Sequence, residues 1–366
     1  MLQGKSVAVV VPAYNEEKQI AQVIETMPDF VDRIVVVDDC SIDQTRDIVK
    51  TFIDNGNEQD IKHIPDIFDQ IEPNPYNRAD MVVQQKTREE IKYFLPSEIV
   101  NEYEETSRVI LIAQRENGGV GAAIARGYKW AKDHGIECTA VMAGDGQMDP
   151  AELERICRPV IEDGIDYVKG NRLIHRSSWL VIPKIRYFGN SILSILTKIA
   201  SGYWHVSDTQ TGYTAISNSA LNAIRLHKLY KSYGMPNDML VKLNIAFCTL
   251  KEVEIKPIYD VGEKSKMKVL KVIPKVSYLL IKLFFKRLWI KYLFRDFHPL
   301  FLLYHASFVL LFIAIPYGYK ILQLTLSLTP VNPVTVLAFL FLFISGFQSF
   351  LFAMWMDIQD NERLYV

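Results

Sequence analysis

Two long stretches without a charged residue near the C-terminus constrain the fold of this chain more than any other feature. The stretch 297–319 contains no Lys, Arg, Asp or Glu, and neither does the stretch 321–356. Each has room for an apolar helix of about 20 residues, the length that crosses the hydrocarbon layer of a membrane. Pro330 and Pro333 interrupt the second stretch, so we predict its helix from about Pro333 to Met356. A hairpin buried in a soluble core is the alternative interpretation.

A basic segment comes directly before these stretches. Between Lys264 and Arg295 there are ten basic residues and no acidic one. Four of the basic residues recur at helical spacing among large apolar residues: Lys282, Lys286, Arg287 and Lys291. This pattern is typical of an amphipathic helix that lies in a membrane interface, with a solvated helix face as the alternative.

The distribution of charge also predicts the orientation of the hairpin. Positive charge precedes the first stretch, and only Lys320 separates the two stretches. Because positively charged flanks remain in the cytoplasm, we expect a protein of the cell membrane with two transmembrane helices and a cytoplasmic N-terminal domain. The four cysteines are scattered without metal-ligand spacing, which is typical of reduced thiols in a cytosolic domain.

The N-terminal part of the chain alternates apolar, β-branched runs with amphipathic helical patterns. From Ser6 to about Gly170 this rhythm predicts a parallel sheet with crossover helices, whose ligands bind where the strands end. The predicted strands are Val7 to Val11, Arg33 to Val37, Val109 to Ala113, Cys138 to Met142 and Tyr167 to Lys169. The predicted helices are 17–27, 44–52, 120–132 and 150–162.

A polar, proline-containing segment interrupts this rhythm from about Asp54 to Ser107. A simple α/β unit needs only a short connection there, so we interpret the segment as an insertion. It is expected to form helices of its own, such as one from Asp80 to Leu95. The insertion could serve as a lid, form an oligomer contact or have no function, and the sequence leaves these alternatives open.

Two acidic motifs follow neighbouring strands of the predicted sheet. VVVPAYNEE ends the first strand with Tyr14, Asn15 and Glu16, and IVVVDDCSIDQT ends the second with Asp38 and Asp39. Carboxylates at the tips of adjacent strands accept hydrogen bonds from the base or ribose hydroxyls of a nucleotide. Capping of the next helix is the alternative for an acidic pair taken alone. Together the two motifs predict a nucleotide site.

A third motif, AVMAGDGQMDP, places Asp145 and Gln147 directly after an apolar strand. Hard divalent cations prefer oxygen ligands, and the phosphates of a sugar nucleotide supply those that the protein does not. We therefore predict Asp145 and Gln147 as ligands of Mg²⁺ or Mn²⁺, which neutralises a leaving diphosphate. Asp149, which precedes Pro150, is better explained as the N-cap of the next helix.

Basic residues stand where the phosphates would have to be held. Arg172 follows the fifth predicted strand, Arg186 lies on the next helix, and Lys264 and Lys266 belong to the loop VGEKSKMK. Forked guanidinium groups suit the oxygens of a diphosphate, and lysines act as point charges. The alternative for each residue is an ordinary solvent-exposed side chain without a ligand. The loop lysines equally suit anionic lipid headgroups.

This series of motifs resembles the family-2 glycosyltransferases, especially the branch of dolichol-phosphate mannose synthase-like and bacterial polyprenyl-phosphate enzymes. The resemblance covers residues 5 to about 53 and 108 to about 295. It implies a GT-A, Rossmann-like α/β domain, which we place over 1–260. The basic and apolar patterns described above then give a basic loop and interfacial helices over 261–296, two transmembrane helices over 297–356 and a cytoplasmic tail over 357–366. It also implies that the nucleotide sugar is held by Pro12, Tyr14, Glu16, Asp38, Asp39, Gly144, Asp145, Arg172, Arg186, Lys264 and Lys266.

The chain departs from the family pattern at two places. Ala143 replaces the first aspartate of the family's D-x-D metal motif, which leaves Asp145 and Gln147 as the candidate ligands. The sequence DTQTGY replaces the family's D-P-x-S-G-F motif, and its Asp208 becomes the candidate acidic residue near the acceptor. Asp145, Asp208 and Arg172 form the predicted catalytic set.

The resemblance implies an inverting transferase that moves a hexose from UDP or GDP to a polyprenyl or dolichyl phosphate at the cytoplasmic membrane face. A lipid phosphate is already anionic, so its transfer requires no general base. The alternative is extension of a lipid-linked glycan through a sugar hydroxyl, which needs Asp208 or Asp238 as the base. A third interpretation is a catalytically silent membrane scaffold, suggested by Ala143 and the insertion.

The overall charge bears on the partners of the chain. Lysine and arginine, 41 together, nearly balance the 42 aspartates and glutamates, so no nucleic acid partner is expected. The expected partners are the nucleotide sugar, the lipid phosphate and the bilayer, with a homo-oligomer left open. A chain that ends at about Asp296 should be soluble and still bind nucleotide, whereas persistent membrane pelleting would indicate anchoring by the basic helix.

Overall fold

A computed structural model of the chain describes residues 1–54, 74–182, 184–258 and 269–366. The side chains of residues 184–188, 190 and 269–273 lie outside this description, although their backbone belongs to helices. Lys264, Lys266 and the 55–73 part of the insertion lie outside the described residues altogether.

An eight-stranded mixed sheet forms the centre of the N-terminal domain. Its strands are β1 (Val7–Ala13), β2 (Arg33–Asp38), β3 (Ser97–Ile99), β4 (Val109–Gln114), β5 (Cys138–Val141), β6 (Tyr167–Asn171), β7 (Thr214–Ser217) and β8 (Leu250–Glu254). They stand in the order β3-β4-β2-β1-β5-β7-β6-β8. β1, β2, β4 and β5 run parallel, with β1 between β2 and β5. This is the GT-A, Rossmann-like fold that the sequence predicted.

All five predicted strands are present, each within two residues of its predicted ends. These five strands run parallel to one another, as predicted, whereas two strands that were not predicted are antiparallel: β3 to β4, and β7 to both β5 and β6. β3, β7 and β8 escaped the sequence patterns because β3 and β7 are short and because β8 combines two apolar residues with three charged ones.

The helices of the N-terminal domain are α1 (Ile20–Glu25), α2 (Thr45–Asp54), α3 (Arg78–Glu89), α4 (Val120–Asp133), α5 (Leu153–Glu162), α6 (Ser178–Val181), α7 (Lys184–Ser201), α8 (Asn218–Ala223) and α9 (Met235–Ile245). Successive residues of a strand point to opposite faces. Accordingly, Ala8 and Val10 join the core that includes α4, α8 and α9, whereas Val9 and Val11 join the core that includes α1 and α5.

The insertion is attached to the edge of the sheet opposite to β8. Its predicted helix is present as α3, followed by a 3₁₀ turn over Glu90–Tyr93. Glu90 accepts a hydrogen bond of 2.6 Å from Nδ1 of His227 and lies 3.6 Å from Nζ of Lys132 in α4. β3 then pairs with β4. The described part of the insertion therefore extends the sheet, while α3 buries none of its residues.

The C-terminal part is helical: α10 (Val269–Trp289), a π-helical turn (Ile290–Arg295), α11 (Pro299–Leu326) and α12 (Pro333–Glu362). Among the described residues, α11 and α12 are long and apolar enough to cross a membrane. Large apolar side chains on both are exposed, including Phe312 at 74% and Phe341 at 70%. A hairpin buried in a soluble core would hide such residues, so the structure contradicts that alternative.

α10 divides its residues between two environments. Leu280, Leu283 and Leu288 pack into a core shared with α7, α9 and α11. Ile281, Phe285 and Trp289 are exposed beside the exposed Lys282 and Lys286, as expected for an interfacial helix.

The prediction that Arg287 and Lys291 also lie in the interface was wrong. Both side chains are buried. Each pairs with a carboxylate near the end of α12, namely Asp357 for Arg287 and Asp360 for Lys291. Those partners lie far away in sequence, which is why a local charge pattern did not reveal the pairs.

Candidate functional site

The loop after β1 is fixed to the loop after β2. The Asn15 amide donates to Oγ of Ser41 over 3.0 Å, and the Glu16 amide donates to Oγ1 of Thr45 over 2.8 Å. Asn15 adopts a left-handed backbone with φ of +56°, which asparagine tolerates. The predicted residues Pro12, Tyr14 and Glu16 therefore stand at the carboxyl edge of the sheet, with Pro12 buried and Tyr14 exposed.

Asp38 ends β2 and is fully buried. Its Oδ2 accepts hydrogen bonds from Nε and Nη2 of Arg46, at 3.1 and 2.8 Å, and its Oδ1 accepts from the amide of Ser41. These bonds show that Asp38 organises the β2 loop. A contact between Asp38 and a nucleotide stays a prediction.

Asp39 joins the end of β2 to the start of α4. Its two carboxylate oxygens accept hydrogen bonds from the amides of Gly118 and Gly119, at 2.7 and 2.8 Å. Burial raises the pKa of Asp39 in spite of these two bonds. The side chain of Asn117 donates to the Asp39 carbonyl over 3.2 Å.

Sequence reasoning missed this Asn-Gly-Gly turn, although its letters stand directly before a predicted helix. Gly119 has φ of +86°, and a Cβ there would lie 2.6 Å from the carbonyl oxygen of Lys231. Both the left-handed backbone and the close approach require glycine. The turn thus brings two amides onto Asp39 and fixes its carboxylate at the edge of the sheet.

The loop after β5 lies directly against the end of β1. The Gly144 amide donates to the Pro12 carbonyl over 3.2 Å. Oδ1 of Asp145 accepts from the Gln147 amide over 3.1 Å across Gly146, whose φ is +71°. Because β1 lies between β2 and β5, Asp39 and Asp145 occupy the two sides of the β1 tip.

A pocket opens beside Asp145 at this edge of the sheet. Its walls come from the loops after β5, β6 and β8 and from the segment before β7. The polar residues that line it include Asp145, Gln147, Asp149, Glu152, Arg172 and Lys256. The predicted metal ligands and the predicted phosphate-binding arginine therefore share one pocket.

Arg172 is held in that pocket by Asp208. Its Nε and Nη2 donate to the two carboxylate oxygens of Asp208 over 2.8 and 3.1 Å, and its amide donates to Oδ2 over 3.2 Å. Asp208 is fully buried. Burial alone would raise the pKa of Asp208, but the charge and hydrogen bonds of Arg172, helped by Lys169, hold it below its usual value.

A second layer beneath Asp208 was not predicted from the sequence. Glu252 on β8 accepts hydrogen bonds from the amides of Ser207 and Asp208, at 2.9 and 3.0 Å, and from the Asn171 side chain at 2.9 Å. Nζ of Lys169 donates to the Thr211 carbonyl over 2.9 Å, and burial lowers the pKa of Lys169 to about 8. No motif marked Lys169, Asn171 or Glu252 as functional, because each lies within a strand rather than in the loop after it.

The other acidic candidates have structural partners. Asp238 accepts a hydrogen bond of 2.8 Å from the Tyr230 amide and pairs with Lys242, away from the residues that line the pocket. Asp149 accepts from the Ala151 amide over 2.9 Å, which confirms its predicted role as an N-cap.

Three predicted phosphate-binding residues cannot be placed in the pocket. Arg186 belongs to α7, but its side chain lies outside the described residues. Lys264 and Lys266 lie outside them entirely. Their contacts with phosphate stay predictions.

The pocket suits a hard divalent cation that takes part of its ligands from a bound diphosphate. Asp145 and Gln147 offer oxygen ligands in one pocket. Burial raises the pKa of Asp145, and no cationic side chain of the described chain compensates it. Within the described residues there is no cluster of three or more His, Cys, Asp or Glu side chains for a metal. The two oxygen donors of Asp145 and Gln147 fit a cation that takes its other ligands from a diphosphate.

Comparisons with known proteins indicate the family of the chain. The family model described as "Glycosyl transferase family 2" matches residues 8–67 and 96–225. The chain is 28% identical over 264 residues to a UDP-N-acetylglucosamine–dolichyl-phosphate N-acetylglucosaminyltransferase of Methanococcus voltae, covering 70% of this chain and 88% of that protein. It is 27% identical over 136 residues to an undecaprenyl-phosphate mannosyltransferase of Micrococcus luteus, covering 37% and 55%.

Among solved structures, the chain is similar to glucosyl-3-phosphoglycerate synthase of Mycobacterium tuberculosis in complex with Mn²⁺, UDP and glucosyl-3-phosphoglycerate. That similarity has a TM-score of 0.46 at 16% identity and covers 78% of this chain and 80% of the other. The family model matches more than half of the chain and spans the loops that carry Asp39, Asp145, Arg172 and Asp208. The chain is a glycosyltransferase and belongs to glycosyl transferase family 2.

Proposed function

We propose that this glycosyltransferase transfers a hexose from a nucleotide diphosphate sugar to a polyprenyl phosphate at the cytoplasmic face of the membrane. The proposal is supported by two relatives, whose names specify dolichyl phosphate and undecaprenyl phosphate. It is also supported by the candidate membrane hairpin of α11 and α12 and by the pocket beside Asp145 and Arg172.

The donor diphosphate binds in the pocket. Arg172 is the residue suited to its phosphate oxygens, because Asp208 fixes the guanidinium plane from behind. Asp145 and Gln147 would hold Mg²⁺ or Mn²⁺. When bound, that cation neutralises the negative charge of the leaving diphosphate. Asp39 and the loop after β1 contact the nucleoside on the other side of the β1 tip.

The choice of acceptor rests on one observation: both candidate bases, Asp208 and Asp238, are already paired with basic side chains. A sugar hydroxyl needs a carboxylate that accepts its proton. Asp208 is buried and engaged by Arg172 through both oxygens, and Asp238 is engaged by Lys242. Neither is suited to take a proton from a substrate in the pocket. A lipid phosphate needs no such base, since it is already ionised at neutral pH.

The chemical step is a direct displacement. An oxygen of the acceptor phosphate attacks the anomeric carbon while the bond from that carbon to the diphosphate oxygen breaks. The electron pair of the broken bond goes to the leaving diphosphate, whose growing charge Arg172 stabilises. Attack from the face opposite to the leaving group inverts the anomeric configuration.

The acceptor reaches the pocket from the bilayer. Trp179 and Leu180 of α6 follow Arg172 closely in sequence, and their side chains are exposed, Leu180 at 83%. Ile192 and Ile195 are also exposed, on α7, which packs against α10. An apolar surface next to the basic α10 suits the isoprenoid chain and the headgroup region of a membrane.

The orientation rests on charge. The end of α10 and the start of α11 lie beside the end of α12, so both ends of the hairpin are on the same side as the catalytic domain. The exposed Lys282 and Lys286 add positive charge there. Positive charge flanking a hairpin favours the cytoplasmic side.

The test is transfer from labelled UDP-hexoses and GDP-hexoses to polyprenyl phosphate by the purified full chain with Mn²⁺. We expect a lipid-extractable product that mild acid cleaves, as expected for a sugar on a monophosphate. Arg172→Ala should abolish the product, whereas Arg176→Ala, a change of an exposed arginine in the same loop, should not. Absence of transfer from every donor would refute the proposal.

A hydroxyl acceptor is the second candidate, favoured by the carboxylates of Asp149 and Glu152 in the pocket lining. Asp149 caps a 3₁₀ turn, and Glu152 accepts from the Lys256 amide over 3.2 Å. A product that survives mild acid, made only with a lipid-linked glycan as acceptor, would select this candidate.

A further inference from the structure

The last residues of the chain return to the catalytic sheet after α12 ends. The Leu250 amide donates to the Leu364 carbonyl over 2.7 Å, and the Val366 amide donates to the Leu250 carbonyl over 2.9 Å. Together they form a parallel bridge between Tyr365 and Leu250, the first residue of β8. The C-terminal tail, which we define as 363–366, thus covers the edge of the sheet.

The side chains of the tail are anchored as well. Leu364 is buried in the core that includes α4, α8 and α9. The ring of Tyr365 lies 5.3 Å from the ring of His205, centroid to centroid. Burial and the neighbouring charge of Glu252 both raise the pKa of Tyr365. Tyr365 therefore contacts the loop that precedes Asp208 and lies close to the Glu252 carboxylate.

These contacts lead directly to the donor pocket. Glu252 holds the amides of Ser207 and Asp208, and Asp208 holds Arg172 through two hydrogen bonds. His205 belongs to the same loop as Ser207 and Asp208. The tail therefore contacts both the loop and the strand on which the position of Arg172 depends.

Buried charges attach the end of α12 to the same domain. Nη1 and Nη2 of Arg287 donate to the two oxygens of Asp357, each over 2.7 Å. The same guanidinium donates to the carbonyls of Ile199 and Ala200 at the end of α7, at 3.1 and 3.0 Å. One arginine thus joins α7, α10 and α12.

A neighbouring set of polar groups adds a second attachment. Nζ of Lys291 donates to Oδ1 of Asn361 over 2.6 Å. The same oxygen accepts from Nδ2 of Asn244 in α9 over 2.7 Å. The end of α12 cannot leave the domain without exposing these pairs or leaving them unsatisfied.

We propose that residues 357–366 are a structural part of the catalytic domain and that Tyr365 is a positioning residue for Arg172. The functional half of this proposal rests on the proposed function, in which Arg172 binds the donor diphosphate. In this proposal the predicted cytoplasmic tail stays on the side of the catalytic domain, and the hairpin and the catalytic sheet form one unit, joined at the strand that supports the pocket.

The test compares Tyr365→Ala, Tyr365→Phe and a chain that stops after Arg363, all otherwise full length. Leu328→Ala, which changes an exposed residue between α11 and α12, is the matched control. With UDP-hexose and GDP-hexose donors, we expect Tyr365→Ala and the shortened chain to raise the donor KM at least tenfold with a smaller change in kcat. Tyr365→Phe keeps the ring and should stay within twofold, as should Leu328→Ala.

Hydrogen–deuterium exchange provides a readout that does not depend on the donor. Tyr365→Ala should increase exchange in 205–213 and in β8, while 143–149 stays as in the wild type. Unchanged exchange and unchanged donor KM in Tyr365→Ala would overturn the proposal. If the wild type uses no nucleotide sugar, the proposed function fails, whereas the exchange result still decides whether the tail supports the loop.

Discussion

Removal of the Asp357 carboxylate should destabilise the whole protein, because it leaves Arg287 buried without its counter-ion. Both side chains are 0% exposed, and the pair is bidentate at 2.7 Å. Oδ1 of Asp357 also accepts from the Tyr292 hydroxyl and from Nδ2 of Asn361, both at 2.8 Å. Asp357→Ala leaves the Arg287 charge buried without its counter-ion and removes one acceptor each from Tyr292 and Asn361, which keep their bonds to Asp360 and to the Asp357 carbonyl. We expect a loss of about 3–5 kcal/mol in the free energy of unfolding.

The assay is thermal unfolding of the full chain in detergent. A loss of about 3 kcal/mol lowers the midpoint by roughly 4 °C for a chain of 366 residues. Gln323→Ala, an exposed change on α11, is the control and should shift the midpoint little. The double variant Arg287→Met/Asp357→Leu removes both charges and should recover most of the loss, since a buried pair is often replaceable by apolar residues.

Two results would refute this reasoning. An Asp357→Ala protein that melts like the wild type would mean that Arg287 is solvated in the native state. A chain ending at Asp296 that is soluble and binds nucleotide would mean that Arg287 and Lys291 do not need the α12 partners at all.

Three further predictions follow from the pocket and its supports. Asp208→Asn removes the charge that holds Arg172 and should lower kcat/KM roughly 100-fold; wild-type turnover would exclude the pairing as a support. Lys169 has a pKa of about 8 in the folded protein and 10.5 in the unfolded chain, so the unfolded chain binds the Lys169 proton more tightly. The free energy of unfolding should therefore rise between about pH 8 and 10.5. Melting midpoints across that range should rise less steeply in Lys169→Met, and equal slopes would count against the buried ammonium. In Gly119→Ala the new Cβ lies 2.6 Å from the Lys231 carbonyl oxygen, so the free energy of unfolding should fall by about 1–3 kcal/mol. The loss should be smaller in Gly164→Ala, whose Cβ meets nothing within 4 Å. Equal losses in chemical denaturation would contradict the close approach at Gly119.

Local pattern was sufficient for most of the fold. The five predicted strands and both apolar helices are marked by runs of apolar residues that need no knowledge of partners. β3, β7 and β8 required that knowledge, because a short or half-charged segment becomes a strand only beside a suitable neighbour. The bridge between Tyr365 and Leu250 also required that knowledge, since no sequence pattern in 363–366 predicts it.

Motifs brought the pocket residues together but did not give all of their roles. Asp145, Gln147 and Arg172 were predicted to share a site, and they line one pocket. The structure pairs Asp208 with Arg172, a contact that the motifs did not reveal, while the position of Asp208 near the acceptor stays a prediction. Arg287 and Lys291 were assigned to a membrane interface because their carboxylate partners lie far along the chain. Long-range ion pairs are the part of this structure that the sequence alone does not reveal.

Electron paramagnetic resonance of bound Mn²⁺ tests most directly whether Asp145 and Arg172 form a metal-assisted diphosphate site. The wild type should bind Mn²⁺ tightly only when UDP or GDP is present, since Asp145 and Gln147 supply two oxygen ligands and the diphosphate supplies further ones. Asp145→Asn should lose that bound signal, and Arg172→Ala should weaken nucleotide-dependent binding. A bound Mn²⁺ signal in Asp145→Asn equal to that of the wild type would contradict the account.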